Sequence, residues 1–347
     1  MIRVGIVGVG FMGMVHYLTY LKLLGIEVVA ICDSNRDRLN GDWSEIQGNF
    51  GPVGQKMDLT GILTYESAEE LIAEANVDLI DITLPPAMHA EIAIKALQAG
   101  RHVFCEKPMA MDVGDCDRML QAAIDSDRKL LIGHVLPFNP EYAWALQEVH
   151  SGKYGKILSG SFKRIISDPS WLTDYWKADV VGGPMLDLHV HDAHFIRLLF
   201  GMPSRVTTRG SQRNGLAEHW SSLFEFSDGT VHVLATSGVI NQQGRPFLHG
   251  FEIQMEKATL AFDFAVIDSG IGEEQGRYLC KPILLDSRGH ATYPSLGNGD
   301  PMHAFAAELE HVSKVIPGEL TAGVLACDLA RDAIQICQMQ SDNLAFP

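Results

Sequence analysis

Three groups of residues in this sequence have types and spacings suited to chemistry. The first is Gly8-Val9-Gly10-Phe11-Met12-Gly13, with Asp33 twenty residues beyond the last glycine. In a dinucleotide-binding turn Gly8 permits the tight bend, Gly10 lets the backbone approach a pyrophosphate, and Gly13 lets the new helix pack on the strand. The phosphates then sit on helix N–H groups at the positive end of the dipole, and Asp33 accepts hydrogen bonds from the adenosine ribose. The second group is Glu106-Lys107-Pro108, where a lysine that follows a strand and precedes a proline is held on extended backbone. The third is Asp187, His191 and His194, which share a face at i, i+4 and i+7 of an expected helix. A histidine, with an unperturbed pKa of ~6.5, suits general base work at neutral pH. Zinc is the competing use of that face. With three ligands on one helix, His189 on another face and no cysteine pair in ligand spacing, no closed site is defined and no metal is expected.

The elements that must position these groups can be read from periodicity. Arg3 to Val7 is a short apolar strand running straight into the glycines, and Glu27 to Cys32 is a second strand that Asp33 ends. Ile62 to Tyr65, Asp78 to Thr83, His102 to Cys105 and Lys129 to His134 continue the series. Helices fall between them: Met14 to Leu24, Ser67 to Ala75 with Glu70 completing a capping box, and His89 to Gln98. Such βαβ alternation gives a parallel sheet with ligands at the carboxyl ends of its strands. Leu84-Pro85-Pro86 and Glu106-Lys107-Pro108 lie at those ends, so Pro85, His89 and Glu106 are expected to join Gly8, Gly10, Phe11, Met12, Gly13 and Asp33 at the cofactor. His16 and His102 read as structural, and the polar stretch 34–61 as a decorated surface loop rather than a lid.

Past Pro137 the pattern changes. Helices are expected at 140–149 and 184–200. The strand-like runs at 157–166, 205–210, 220–226, 231–236, 251–255 and 259–264 favour an antiparallel sheet, with Ser227-Asp228-Gly229 the clearest hairpin signal. Two more helices, 302–315 and 321–340, close the chain. The expected fold is therefore α/β: an N-terminal doubly wound parallel Rossmann sheet over 1–136, then an α+β domain over 137–347 with an open, mainly antiparallel sheet and the terminal helices.

Composition excludes several functions. With 27 Lys plus Arg against 43 Asp plus Glu, the net charge of −16 argues against nucleic acid or an anionic membrane surface as partner. The six cysteines contain no CxxC pair, no apolar run approaches ~20 residues, and the opening strand leaves no room for a signal peptide. A cytoplasmic protein with reduced, mostly buried thiols is expected. The exposed face of an open sheet commonly packs on a partner, so a homo-dimer or homo-tetramer is expected.

Several stretches together resemble the Gfo/Idh/MocA oxidoreductases: the glycine turn, Leu84-Pro85-Pro86-Ala87-Met88-His89, Ala99-Gly100-Arg101-His102-Val103, Glu106-Lys107-Pro108, and Gly182-Gly183-Pro184-Met185-Leu186-Asp187-Leu188-His189-Val190-His191-Asp192. The resemblance covers nearly the whole chain and implies hydride transfer between a nicotinamide cofactor and a sugar, cyclitol or related polyol or keto compound. It also implies that Lys107, Asp187 and His191 are the catalytic residues. The stretch His134 to Pro140 departs from the family, which often has Arg-Phe there, and His189 often stands as glycine in relatives. Asp33 should favour NAD over NADP, since a carboxylate repels a 2′-phosphate. Two alternatives use the same fold: an NAD-using glycoside hydrolase, and a regulator that binds dinucleotide without turnover.

Overall fold

The computed structural model describes residues 1–347 apart from 49, 170–173, 228, 269–273, 298–299 and 346–347. Its strands are β1 (Ile2–Val7), β2 (Ile26–Cys32), β3 (Leu63–Tyr65), β4 (Leu79–Ile82), β5 (His102–Glu106), β6 (Leu130–Gly133), β7 (Ile157–Ser167), β8 (Arg205–Arg213), β9 (Leu216–Glu225), β10 (His232–Ile240), β11 (Phe247–Met255), β12 (Ala258–Asp268), β13 (Glu274–Asp286), β14 (Ala291–Thr292) and β15 (Leu344–Ala345). The helices are α1 (Phe11–Tyr20), α2 (Arg36–Leu39), α3 (Ala68–Glu74), α4 (His89–Gln98), α5 (Val113–Ser126), α6 (Pro140–His150), α7 (Val190–Phe200), α8 (Met302–Val315) and α9 (Cys327–Asp342).

Two compact units result, Met1–Asn139 with Asp300–Arg331, and Pro140–Gly299 with Asp332–Pro347. The first holds a six-stranded parallel sheet in the order β3-β2-β1-β4-β5-β6, the doubly wound order that reverses direction between β1 and β4. Strands β4 and β6 are buried at every position, as strands covered on both faces must be. The second holds a nine-stranded sheet in the order β14-β13-β12-β11-β7-β10-β9-β8-β15, antiparallel except where β7 meets β10 and β8 meets β15. Strands such as β10 begin by alternating exposed and buried residues, with Leu234 outward between Val233 and Ala235, so one face packs and the other stays open.

The terminal helices were expected with the second domain. Instead α8 belongs to the first unit, because its apolar stripe of Leu309, Val312 and Val315 enters the same core as Tyr17 and Tyr20 of α1. The stretch 34–61 is mostly exposed but is anchored at Trp43, which is fully buried, sits edge-on to Tyr17 at 4.9 Å and donates its ring N–H to the Arg38 carbonyl at 2.9 Å. Farther along, the Phe50 ring meets Phe11 at 5.0 Å and stacks on Phe305 at 5.4 Å. Helix α5, started by Asp112 accepting from Asp115 N–H, and strand β13, which contains Gly276 and Pro282, were not anticipated. β9 and β10 pair as the hairpin signal requires, although Asp228 itself lies outside the described residues. Among the described residues no helix is long and apolar enough to cross a membrane.

Candidate active site

The glycine turn between β1 and α1 shows which glycines the chain itself demands. Gly8 has φ +99°, and a Cβ there would lie 2.9 Å from the Thr83 carbonyl oxygen. A Cβ on Gly13 would lie 2.1 Å from the Gly8 carbonyl oxygen, so the start of α1 can approach β1 only with glycine. Gly10 is different. Its φ of −84° suits any residue, and a Cβ there would meet no protein atom within 4 Å. Gly10 also provides no side-chain cap to α1, whose first amides have no partner within the helix. A dinucleotide pyrophosphate fits this arrangement, needing both the amides and the close backbone approach.

Asp33, at the end of β2, is 8% exposed. One oxygen accepts from Val9 N–H at 2.7 Å and the other from Asn35 N–H at 2.8 Å, which fixes the carboxylate beside the glycine turn. Arg38 stands 3.3 Å from it, whereas Arg36 pairs with Glu66 on the surface.

The turns after β4 and β5 are tied together by a residue expected to contact cofactor. His89 is fully buried, with Nδ1 2.8 Å from the Pro108 carbonyl oxygen and Nε2 2.8 Å from that of Leu84. Burial lowers its pKa and the two carbonyls oppose the shift without reversing it. Both ring nitrogens face main-chain oxygens, and a neutral ring donates to one of them, so His89 bonds one turn and packs against the other, while Pro85 continues the first by accepting from Met88 N–H at 2.9 Å. Glu106 also points inward. Its Oε2 accepts from the Lys107 N–H at 3.1 Å and its Oε1 lies 3.2 Å from His16 Nε2. Lys107 itself is half-exposed at the carboxyl end of the sheet.

In the second unit, Asp187 lies on a π-helical turn, Met185–His189, that leads into α7. The π-turn carries extra backbone per turn, so the regular α spacing assumed for Asp187, His191 and His194 does not hold across it. Burial sorts the polar residues instead. Asp187 and His191 are partly exposed, whereas His189, Asp192 and His194 are fully buried. His189 turns Nδ1 to Ser237 Oγ at 2.7 Å, lies edge-on to Trp220, and is brought by burial to a pKa of about 4, so it is neutral. Asp192 takes a two-pronged pair from Arg164 at 2.7 and 3.1 Å. The Tyr175 phenol is buried, and burial, followed by the charges of Asp187 and Asp168, holds its pKa well above the ordinary range.

Residues 2–134 match the model of an oxidoreductase family with an NAD-binding Rossmann fold, and residues 142–261 match the GFO/IDH/MocA C-terminal domain. The chain belongs to the GFO/IDH/MocA oxidoreductase family. Among its relatives is a myo-inositol 2-dehydrogenase of Thermotoga maritima, 31% identical over 202 residues that cover 57% of this chain and 55% of that one. A glycosyl hydrolase family 109 protein of Shewanella baltica is 29% identical over 161 residues, 46% of this chain and 34% of the other. The chain thus spans little more than half the length of such curated relatives. In fold it resembles the scyllo-inositol dehydrogenase of Lactobacillus casei solved with NAD(H) and scyllo-inositol, with a TM-score of 0.76 at 21% identity over 99% of this chain and 97% of that one.

Within this GFO/IDH/MocA chain, three polar residues stand behind the Lys107 turn: His16, which the sequence marks as structural, and Asp81 and Glu308, which it does not single out. His16 and Asp81 are fully buried and in contact at 2.9 Å, and Glu308 of α8 is fully buried near both. Signals for them existed. Asp81 interrupts the apolar strand Leu79–Ile82, and Glu308 falls in the apolar stripe with Phe305, Leu309 and Val312. A charge on a buried face is the informative exception.

Proposed function

We propose that this protein is an NAD-dependent dehydrogenase or reductase acting on CH–OH groups of a sugar, cyclitol or related polyol or keto compound. The observation that carries the reading is Gly10, a glycine that nothing in the chain requires, at a helix N-terminus on the sheet edge that also bears Lys107. Gly8, Gly10, Phe11, Met12, Gly13 and Asp33 would hold the dinucleotide, with Pro85 beside them, His89 holding the turns and Glu106 acting from behind Lys107. When bound, the nicotinamide supplies the hydride acceptor.

The chain's own residues then manage the proton and the charge. Oxidising a secondary alcohol to a ketone removes a hydride from its carbon, which the nicotinamide would accept, and a proton from its hydroxyl. His191 takes that proton, Lys107 steadies the developing alkoxide, and Asp187 hydrogen-bonds the substrate and favours the imidazolium once it has formed. Asp33 favours NAD, with Arg38 softening its repulsion of a 2′-phosphate.

A turnover screen of cyclitols, sugars and their keto forms with NAD and NADP, read as reduced cofactor, tests the reading. Net NADH formation with at least one polyol, faster with NAD than with NADP, is the expected result. The Shewanella baltica relative keeps a second reading in play, hydrolysis through transient oxidation. Release of an aglycone without net NADH would replace the dehydrogenase by that hydrolase.

A further inference from the structure

Four elements of the first unit, α1, β4, β5 and α8, place His16, Asp81, Glu106 and Glu308 in one space sealed from solvent. Their exposures are 0%, 0%, 6% and 0%. His16 Nδ1 lies 2.9 and 3.2 Å from the two Asp81 oxygens, and its Nε2 lies 3.2 Å from Glu106 Oε1. The ring stacks on Phe104 at 5.6 Å and lies beside Phe305 at 6.4 Å, so its plane is fixed by apolar walls. A neutral imidazole has one N–H and could satisfy only one of two flanking carboxylates, leaving its lone pair against the other. Two ionised neighbours therefore favour the doubly protonated ring.

Glu308 completes the pocket. Neither of its oxygens has a hydrogen-bond partner, and Glu106 and Asp81 are its charged neighbours along with His16. Burial first, then Glu106 and Asp81 against the opposing pull of His16, hold its pKa well above the usual carboxyl range. Tyr20, one helical turn beyond His16, presents its phenol to Asp81 and Glu308 and stays protonated.

The contacts form a continuous line from Asp81 to His16, to Glu106, and from the other oxygen of Glu106 to the Lys107 N–H. Glu106 is hydrogen-bonded through Oε2 to the Lys107 N–H, while its Oε1 lies 3.2 Å from His16 Nε2 at ion-pair distance without a hydrogen bond, so the attraction to His16 restrains the carboxylate that holds the main chain from which Lys107 projects. We propose that His16 is the positioning residue for Lys107, acting through Glu106, whose other oxygen holds the Lys107 N–H. This rests on the reading of Lys107 as a substrate-contacting group.

The sign of the pH effect follows. Burial, which alone would lower it, is outweighed by Asp81 and Glu106, so the His16 pKa stands well above 6.5. The clamp is therefore intact below that raised value and is lost as pH rises through it. The groups facing His16 are Asp81, Glu106, Glu308 and Tyr20, and none supplies a second cation to replace it.

The test compares wild type with His16→Gln, Glu106→Gln and Lys107→Met, using the best substrate of the turnover screen. Nitrogen NMR of histidine-labelled wild type should find both His16 nitrogens protonated at about pH 8. Wild-type kcat should fall as pH rises through the His16 pKa, and His16→Gln should lower kcat by about 10²-fold, leave the affinity for NAD unchanged, and remove that fall. Glu106→Gln, which keeps the size of the side chain, should do the same and decides the matter if His16→Gln does not fold. A neutral His16 at that pH, or wild-type kcat with a wild-type alkaline limb in the folded variants, overturns the proposal. Lys107→Met separates the two readings. Retained kcat there refutes the role of Lys107, whereas loss there with wild-type behaviour in His16→Gln and Glu106→Gln refutes only the clamp.

Discussion

Arg164 and Asp192 in the second unit and the His16 pocket in the first are both buried charge networks, yet they balance charge differently. The Arg164 guanidinium meets both Asp192 oxygens at 2.7 and 3.1 Å, one cation against one anion, with the fork geometry matched. Around it Tyr142 bonds His249 Nδ1 at 3.0 Å, and burial, with the neighbouring Arg164 charge, drives the His249 pKa far down, so that ring stays neutral. Arg164, Tyr142 and His249 therefore keep their charge states across ordinary pH. The first pocket sets one imidazole among three acids, and it is tolerable only while Glu308 keeps its proton and His16 carries two. The two serve different neighbours. Asp192 anchors α7 one residue beyond His191, while His16 reaches Lys107 through Glu106. A balanced pair gives rigidity alone, whereas an imbalanced pocket makes its support conditional on pH.

The largest effects should come from the groups these networks support. Lys107→Met and His191→Asn should each lower kcat by ~10² to 10⁴ while NAD binding survives, measured by steady-state kinetics and by cofactor titration. Near-normal kcat in both would separate the networks from catalysis altogether. Next, Arg164→Met strands the Asp192 carboxylate in the core and should cost about 3–5 kcal/mol, seen as a lower denaturation midpoint. If the midpoint does not move, the pair is not the anchor it is taken to be.

The comparison is sharpened by Glu308→Gln. An acid whose folded pKa is raised binds more protons folded than unfolded, so its contribution to stability falls as pH rises from about 4.5 toward the raised value. The glutamine variant cannot ionise. Its Tm should exceed that of wild type at neutral and alkaline pH by roughly 2–4 °C or more, and the gain should vanish in acid. An equal shift at every pH would mean that Glu308 does not titrate in this range. The smallest effect is expected at Asp33, where Asp33→Ala should reduce the preference for NAD over NADP by about tenfold, read from the two affinities. An unchanged ratio would assign the preference elsewhere.

Much of this was legible in the sequence because it depends on local pattern. Apolar strands alternating with helices fix a parallel sheet, and Gly8 and Gly13 declare a crossing too tight for a side chain. What was hidden depends on which surfaces meet. The stripe of α8 shows that the helix buries one face, but nothing local says that the face lies on α1. Trp43 and Phe50 sit among polar residues and glycines, so the stretch 34–61 reads as solvent-facing until their partners Tyr17, Phe11 and Phe305 are known. The π-turn at Met185–His189 has no residue signature, and only burial separates Asp187 and His191 from His189 and His194. Asp81 and Glu308 were visible as charges at apolar positions, but their common destination was not.

The first unit's sheet edge is built for a dinucleotide, and Gly10 tests this most directly because a Cβ there meets nothing within 4 Å beyond its own chain neighbours. NAD titration of Gly10→Val beside wild type, with Tm recorded for both, is the decisive measurement. An unchanged Tm and an affinity for NAD weaker by at least about tenfold are expected. An unchanged Tm with wild-type affinity would contradict the dinucleotide assignment.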